Sequence, residues 1–323
     1  MAPIRLLLAA AVLLASCATA PHQSFQREDR LVISGASGLL GDAVIQRLIV
    51  RGVPVHDLIL VTRRPEDLAV YARLGASVRF GDLNAPESLP AAYRGGTRLL
   101  LISPPPAPKG WPERNRTAFE AAVRAGIRRI VYTSILGADR DLGDSPQARH
   151  ITADHLQTER YLEACGARWI ILRNGFYLDG PRSGFVVDRA VEMARTSRAV
   201  VPYGERRLAP LTHLDLADAA AAALMGNFAD SRIYELTGAQ LVGMRDIAIA
   251  TTAATGRAIT VVDQGPDQQY SPTIPIGPID MFPSMVTGDL QRLTGHGPTS
   301  LQEYIDAHRD EILARSGLAY SPR

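Results

Sequence analysis

The chain has 323 residues, of which 46% are hydrophobic and 21% are charged, and its formal net charge is +2. This composition is typical of a globular protein with a sizeable core, and the length suits one large α/β domain with or without a smaller one. The near-neutral charge balance lacks the strong basic excess of a nucleic-acid-binding domain, so we predict no nucleic-acid partner.

The first segment, residues 1–17, has the layout of a secretory leader. One positive charge precedes the apolar run Leu6–Leu14, which is too short to span a bilayer as a mature helix. The run ends in Leu14-Ala15-Ser16-Cys17, which resembles a bacterial lipobox, whose cysteine receives a diacylglycerol. We therefore predict lipidation at Cys17, a tether over residues 18–30, and an exported, membrane-anchored lipoprotein on the periplasmic face. If the run is accidental or the start codon is misassigned, the protein is cytoplasmic.

Strand and helix signals then alternate through residues 31–173. The predicted strands are Leu31–Ser34, Leu58–Thr62, Ser77–Phe80, Arg98–Ile102, Arg129–Thr133 and Arg168–Leu172, and the predicted helices are Gly41–Arg51, Pro65–Leu74, Arg114–Ala125 and Ile151–Ala164. This alternation predicts an α/β fold with a Rossmann-type, doubly wound parallel sheet. Residues 174–323 have a looser pattern, with a helix at Leu214–Met225 and a strand at Ser231–Leu236. We expect them to complete the core and form a smaller substrate lobe at the carboxyl edge of the sheet.

The strongest motif follows the first predicted strand and opens the first predicted helix. It is Gly35-Ala36-Ser37-Gly38-Leu39-Leu40-Gly41. Gly35 permits a tight turn, Gly38 lets the backbone approach a pyrophosphate, and Gly41 lets the helix lie close to the sheet. The helix N-terminus then offers free N–H groups to the phosphates. We predict that these residues bind a dinucleotide; the alternative is a plain turn.

The end of the second predicted strand indicates which cofactor binds. NAD sites usually carry Asp or Glu there for the ribose hydroxyls, whereas this chain has Thr62-Arg63-Arg64. Two guanidinium groups suit the 2′-phosphate of NADP, so Arg63 and Arg64 predict NADP(H), the alternative being solvated surface arginines. After the third strand, Asp82 and Leu83 either meet the adenine edge or form a simple turn.

From residue 31 to about residue 308, the chain resembles the NmrA-like group of atypical short-chain dehydrogenases, and within it the bacterial NADPH:quinone oxidoreductase branch. The segments that carry the resemblance are Ile33–Gly41, Leu99–Ser103, Val131–Asp139, His155–Glu159, Leu172–Tyr177 and Leu293–Leu301. The resemblance implies NADPH at the glycine turn and Arg63, with Ser103, Thr133 and Ser134 along the nicotinamide. It also implies a substrate held under the C-terminal lobe.

One motif departs from the wider dehydrogenase class. Those enzymes have Tyr-x-x-x-Lys on the helix after the fifth strand, whereas this chain has His155-x-x-x-Glu159. Glu159 cannot act as the lysine does, so reversible alcohol–ketone chemistry is not expected, and the quinone branch carries the same His and Glu. We take His155, Glu159 and Ser134 as candidate catalytic residues. The helical spacing also lets Glu159 hydrogen-bond His155, and the alternative is a purely structural His–Glu pair.

Three further candidates, Asn174, Phe176 and Tyr177, follow the sixth predicted strand at the carboxyl edge. The two aromatic rings either stack on a flat substrate or pack into the core. No His/Cys cluster has metal-ligand spacing, so we predict no metal site.

These features predict an NADPH-dependent oxidoreductase that reduces a quinone or similar small electrophile. The alternative is a non-catalytic NADP(H)-binding redox sensor or ligand-binding lipoprotein of the NmrA-like type. The leader conflicts with the cofactor, because export would take the chain to a compartment without a known NADPH supply. The sequence does not indicate an oligomeric state.

Overall fold

The computed structural model describes residues 29–104, 110–141, 145–179, 185–202, 204–265 and 282–318. The predicted leader, Cys17 and nearly all of the tether lie outside these residues. Within them, no helix combines the length and apolar character needed to cross a membrane.

Nine strands occur in the described residues, and seven of them form one sheet. The strands are β1 (Leu31–Ser34), β2 (Leu58–Thr62), β3 (Ser77–Phe80), β4 (Arg98–Leu101), β5 (Arg129–Ile135), β6 (Arg168–Asn174), β7 (Arg198–Val201), β8 (Arg232–Leu236) and β9 (Thr260–Asp263). The sheet has the order β3-β2-β1-β4-β5-β6-β8, and every neighbouring pair is parallel. The predicted Rossmann-type fold is therefore confirmed.

Eleven α-helices connect and cover these strands in the described ranges. They are α1 (Leu39–Val50), α2 (Ala69–Arg73), α3 (Leu89–Tyr93), α4 (Trp111–Arg124), α5 (Pro146–Glu163), α6 (Phe185–Thr196), α7 (His213–Met225), α8 (Met244–Thr255), α9 (Asp289–Thr294), α10 (Leu301–Ala307) and α11 (Arg309–Ser316).

The sheet has a separate apolar core on each face, because alternate residues of a strand point to opposite sides. Leu31 and Ile33 of β1 pack with residues of α1 and α7. Val32, between them, packs on the other face with residues of α3, α4 and α5. Since both faces are buried, the inner strands read as continuous apolar runs, as in the fully buried β2.

A third core lies outside the sheet and belongs to the C-terminal half of the chain. It joins α6, α8, α10 and α11 through residues such as Met193, Ile247, Ile305 and Ile312. The strands β7 and β9 form a separate parallel pair beside it. By contrast, α7 and β8 from the same half join the main sheet and its core.

The predicted and observed elements differ mainly at helices. The predicted helix Pro65–Leu74 is a 3-10 turn over Pro65–Leu68 followed by the short α2. Helix α5 begins five residues before its predicted start, because Ser145 accepts a hydrogen bond from the Ala148 amide and caps it. The short α3 was missed.

Candidate active site

The predicted site residues come together at one edge of the sheet, where the parallel strands end. Gly35 follows β1, Arg63 follows β2 and Ser103 follows β4, while Ser134 and Asn174 lie at the ends of β5 and β6. The strand order reverses at β1, which lies between β2 and β4. Ligands of open α/β sheets bind in the crevice at this reversal.

The turn after β1 has a backbone that requires glycine at two positions. Gly35 has a φ of +90°, in the left-handed region, and its amide donates to the Val61 carbonyl oxygen at 3.1 Å. A Cβ on Gly41 would lie 2.3 Å from the Gly35 oxygen and 2.9 Å from the Ala36 Cα. No side chain fits at Gly41, so α1 begins in contact with the turn.

The N-terminus of α1 is suited to hold the pyrophosphate of a dinucleotide. Gly38 is its N-cap and supplies no side-chain acceptor to the amides of the first turn. Leu39, the first helical residue, is 56% exposed. Ser37 is fixed to the end of β2 by a 2.7 Å hydrogen bond between its hydroxyl and that of Thr62. A phosphate would satisfy the free amides and face the positive end of the helix dipole.

The two arginines after β2 differ in their availability. The Arg64 Nε donates to the Asp67 Oδ2 at 2.6 Å, so this guanidinium already has a partner. Arg63 is exposed and has no ion pair within the described ranges. Arg63 is therefore the better-placed group for a 2′-phosphate.

The turn after β3 is closed by its own side chains. The Asp82 Oδ1 accepts from the amide and the side-chain nitrogen of Asn84 at 2.9 and 3.1 Å. Leu83 packs against the core below. This geometry is that of a local turn, and contact with adenine stays a prediction for both residues.

The loop after β4 is tied to β5 by a hydrogen bond. The Ser103 amide donates to the Thr133 Oγ1 at 2.8 Å. The Thr133 hydroxyl therefore already accepts one hydrogen bond from the backbone, and Ser103 lies beside the end of β5. The Ile102 Cβ lies 3.2 Å from where a Gly35 side chain would begin, so the loops after β1 and β4 approach closely.

Below this loop lies a buried polar network centred on Glu159. The Ser134 Oγ donates to the Glu159 Oε1 at 2.6 Å. Arg173 of β6 donates to both carboxylate oxygens, from Nε at 3.0 Å and from Nη2 at 2.7 Å. Glu159 and Arg173 are 2% and 4% exposed. The suggested His155–Glu159 hydrogen bond is wrong, because Glu159 is held by Ser134 and Arg173, and the ring nitrogen Nδ1 of His155 lies against the Tyr132 and Ser134 hydroxyls instead.

Arg173 is the main site-forming residue that the sequence analysis missed. Its Nη1 also lies 2.7 Å from the Asp139 Oδ2. Burial opposes the charged guanidinium, but the hydrogen bonds from Arg173 to Glu159 and Asp139 outweigh burial and raise the pKa of Arg173. The available signal was a charged residue directly after the apolar run Trp169–Leu172, since a buried charge requires a partner.

His155 lies in the same network but is a neutral side chain. Its Nδ1 is 3.1 Å from the Tyr132 hydroxyl and 3.4 Å from the Ser134 Oγ. Its ring meets the Trp111 ring edge-on, with centroids 4.4 Å apart. Burial lowers the pKa of His155 to about 3, so an imidazolium is not available as a general acid near neutral pH.

The residues after β6 form a second polar group beside this network. The Asn174 Nδ2 donates to the Tyr177 hydroxyl at 3.2 Å, while the buried Asn174 Oδ1 has no hydrogen-bond partner. The Tyr177 ring stacks on His213 with centroids 4.5 Å apart. Phe176 meets Phe282 edge-on at 5.7 Å. The aromatic pair thus contacts other aromatic side chains, and stacking on a substrate stays a prediction.

His213 is held by a residue that the sequence did not single out. Its Nδ1 lies 2.7 Å from the Asp179 Oδ1. Burial alone would raise the pKa of Asp179, but the hydrogen bonds from His213 lower it. Over the described ranges, no group of three or more His, Cys, Asp or Glu residues is arranged to hold a metal ion.

Comparison with known proteins agrees with this geometry. A family model described as NAD(P)H-binding matches residues 35–201, which is just over half of the chain. The quinone oxidoreductase 2 of Escherichia coli strain K12 is 29% identical over 290 residues, which cover 85% of this chain and 97% of that protein.

Two solved structures contain the same kind of cofactor. The triphenylmethane reductase of Citrobacter sp. complexed with NADP(H) superposes with a TM-score of 0.71 at 26% identity, covering 86% of this chain and 99% of that one. The NADPH complex of the Escherichia coli NADPH-dependent quinone oxidoreductase gives 0.70 at 26% identity, with the same coverage. These matches confirm the resemblance and the NADP(H)-type cofactor inferred from the sequence. The chain belongs to the NAD(P)H-binding family, as an NAD(P)H-dependent oxidoreductase with a Rossmann-type fold.

Proposed function

We propose that this protein uses NADPH to reduce a quinone or a similar small, flat electrophile. The observation that carries the proposal is the combination at one sheet edge of a dinucleotide cradle with a neutral His155 and an ion-paired Glu159. Neither side chain is in the protonated form that would donate a proton to an alkoxide product.

The chain's own residues account for cofactor binding. The free amides of α1 would hold the pyrophosphate and Arg63 the 2′-phosphate, while Ser103 and Thr133 would border the nicotinamide. When bound, the reduced nicotinamide supplies the hydride. The protein then has to hold the acceptor against it, and proximity and orientation provide most of the acceleration.

Stabilisation of the product falls to Asn174 and Tyr177. A quinone that accepts hydride becomes a phenolate-like anion, which is far less basic than an alkoxide and needs only fixed hydrogen-bond donors. The Tyr177 hydroxyl accepts from Asn174, so its own proton is free for the acceptor. Burial raises the pKa of Tyr177 and keeps that proton in place. Ser134 is a weaker candidate, because its hydrogen is directed at Glu159.

The names of similar proteins support this substrate class. One relative is a quinone oxidoreductase and one structural neighbour a triphenylmethane reductase. Quinones and triphenylmethane dyes are both conjugated electrophiles, which can take up a hydride without forming an alkoxide.

Cofactor choice is tested by titrating NADPH and NADH into the full chain and into two single variants. We expect Arg63→Gln to weaken NADPH binding by roughly 10- to 100-fold, the value of one or two charge-assisted hydrogen bonds, and to leave NADH unchanged. Arg64→Gln is the matched control, because the Arg64 guanidinium already pairs with Asp67. Equal loss in both variants would contradict the assignment.

Turnover separates the enzyme from the alternative reading. Steady NADPH oxidation with a soluble quinone would support the reductase, and we expect the rate of that oxidation to be lower in Tyr177→Phe. The Ser134–Glu159–Arg173 network is complete without a ligand, which favours a second candidate, a non-catalytic redox sensor. Tight NADPH binding without turnover over quinone and dye acceptors would establish that candidate.

We also propose that the mature chain is exported and lipid-anchored through Cys17. The support is the order of charge, apolar run and Leu14–Cys17 in the first residues. Labelled palmitate should enter the wild-type chain but not Cys17→Ser; an unlabelled wild type would leave a cytoplasmic enzyme with an ordinary NADPH supply.

A further inference from the structure

The edge of the sheet opposite the glycine turn is lined with arginine. The strands β4, β5 and β6 begin with Arg98, Arg129 and Arg168, and Arg128 precedes β5. The strand register pairs Arg98 with Arg129 and Arg129 with Arg168, so these residues are neighbours along the amino edge.

An open groove of about 580 Å³ lies at this edge, between the α4–β5 turn and the α5–β6 turn. Arg128, Arg129 and Arg168 line it together with small and apolar residues, and no carboxylate does. An adjoining cavity shares Arg129 and Arg168 and adds Trp169 and the one acidic side chain lining it, Asp230.

The arginines divide into a structural pair and a free pair. Arg98 donates to the carbonyl oxygens of Leu224, Met225 and Gly226 at the end of α7 and pairs with Asp29. Arg129 donates to the same Gly226 oxygen. Arg128 and Arg168 are exposed and have no ion pair within the described ranges.

The electrostatic balance of the edge is positive. Burial, followed by the charges of Arg98 and Arg168, lowers the pKa of Arg129, while Asp29 acts in the opposite direction. Two of the neighbouring carboxylates already have partners: Asp29 pairs with Arg98, and Glu120 of α4 pairs with Arg116 and Arg124. Asp230, in the adjoining cavity, is set against both Arg129 and Arg168. The groove therefore presents uncompensated guanidinium groups to an anion.

The position at which the N-terminal segment enters the fold indicates which kind of anion would lie near the groove. The polypeptide enters the fold at this edge, where Asp29 lies 2.7 Å from Arg98. Cys17 precedes Asp29 by 12 residues, a span of at most about 40 Å. A lipid at Cys17 would thus hold the amino edge close to a bilayer. Trp169, with an apolar body and a polar N–H, suits the interface beside the arginines.

We propose that the amino edge, through Arg128, Arg168 and the groove between them, docks on anionic phospholipid headgroups. The cofactor edge then faces away from the membrane, because all seven strands are parallel. The choice of a membrane as partner rests on the proposed lipidation of Cys17, whereas the substrate and catalysis play no part in it. Such docking gives a role to Arg128 and Arg168, which take no part in the capping of α7 by Arg98 and Arg129.

The test is co-sedimentation of the full chain, carrying Cys17→Ser to prevent lipidation, with two kinds of vesicle. One contains phosphatidylcholine alone and the other also contains phosphatidylglycerol. The double variant Arg128→Glu/Arg168→Glu is compared with Arg195→Glu/Arg257→Glu, which changes the net charge equally in the smaller lobe. Thermal unfolding shows whether each variant is folded, and Arg128→Gln/Arg168→Gln replaces the first if it is not.

We expect binding that requires phosphatidylglycerol, weakens with salt, falls at least about tenfold in the amino-edge variant and persists in the control. Equal loss in both double variants, or equal binding to neutral vesicles, would overturn the proposal. A short RNA that binds the chain more tightly than the phosphatidylglycerol vesicles at the same ionic strength, and loses that binding in Arg128→Glu/Arg168→Glu, would also overturn it, since the groove would then be a nucleic-acid site.

Discussion

Two regions of the carboxyl edge contrast in how they are built. The glycine turn is local: seven consecutive residues determine its backbone, and its function follows from the absence of side chains. The Ser134–Glu159–Arg173 network is assembled from β5, α5 and β6, and its function follows from side chains that meet only in the folded chain. The spacing of residues in the sequence therefore predicts local backbone geometry. The charge state of a buried side chain depends instead on which other side chain contacts it in the folded protein.

The largest loss of stability is expected from a variant that breaks the Ser134–Glu159–Arg173 network. Arg173→Met leaves the Glu159 carboxylate buried without its ion-pair partner, and we expect a loss of about 3–5 kcal/mol in the free energy of unfolding at neutral pH. Denaturant unfolding measures it. Arg140→Met is the control, because Arg140 contacts the partly exposed Glu235 and such pairs contribute about 0–1 kcal/mol.

A second variant separates a missing partner from lost packing. Arg173→Met combined with Glu159→Leu removes both charges and should recover most of the stability. If the double variant is as unstable as the single one, the buried ion pair is not the cause.

An intermediate effect tests the glycine turn. In Gly41→Ala the new methyl group would lie 2.3 Å from the Gly35 oxygen, and we expect a cost of about 1–3 kcal/mol with strongly weakened NADPH binding. Gly297→Ala is the matched control, since nothing lies within 4 Å of its added carbon. Unchanged NADPH affinity in Gly41→Ala would mean that α1 does not need to approach the turn so closely.

The smallest effect concerns His155 and pH. Its pKa is lowered to about 3 in the folded chain, while an unfolded histidine titrates near 6.5. Between these values the unfolded state binds the additional proton, so stability falls as pH falls.

From pH 7 to pH 5.5 this histidine should account for a loss of about 1 kcal/mol in the free energy of unfolding. His155→Gln should flatten that part of the stability profile. A profile identical to the wild type would show that His155 is not held neutral.

The sequence by itself was sufficient for the parallel sheet and for the cofactor turn. Predicted β1, β2 and β3 have the observed bounds. The strands β1 and β2 are buried runs between turn residues, whereas β3 is a partly exposed strand at the edge of the sheet. Glycines at 35, 38 and 41 predicted the turn, because only the missing side chain matters there. The NADP(H)-type cofactor inferred from the sequence is confirmed by the similar structures, while the part of Arg63 in binding it stays a prediction.

Only the tertiary structure decided what Glu159 does. Helical spacing put His155 one turn away and suggested a pair, but the β5–β6 register sets Arg173 opposite Ser134, and a guanidinium binds a buried carboxylate more strongly than a neutral imidazole. The same holds for the amino edge, where residues 98, 129 and 168 become neighbours through sheet order. Sequence periodicity predicts on which face of a helix or strand a residue lies. The register between strands determines which charged side chain it contacts.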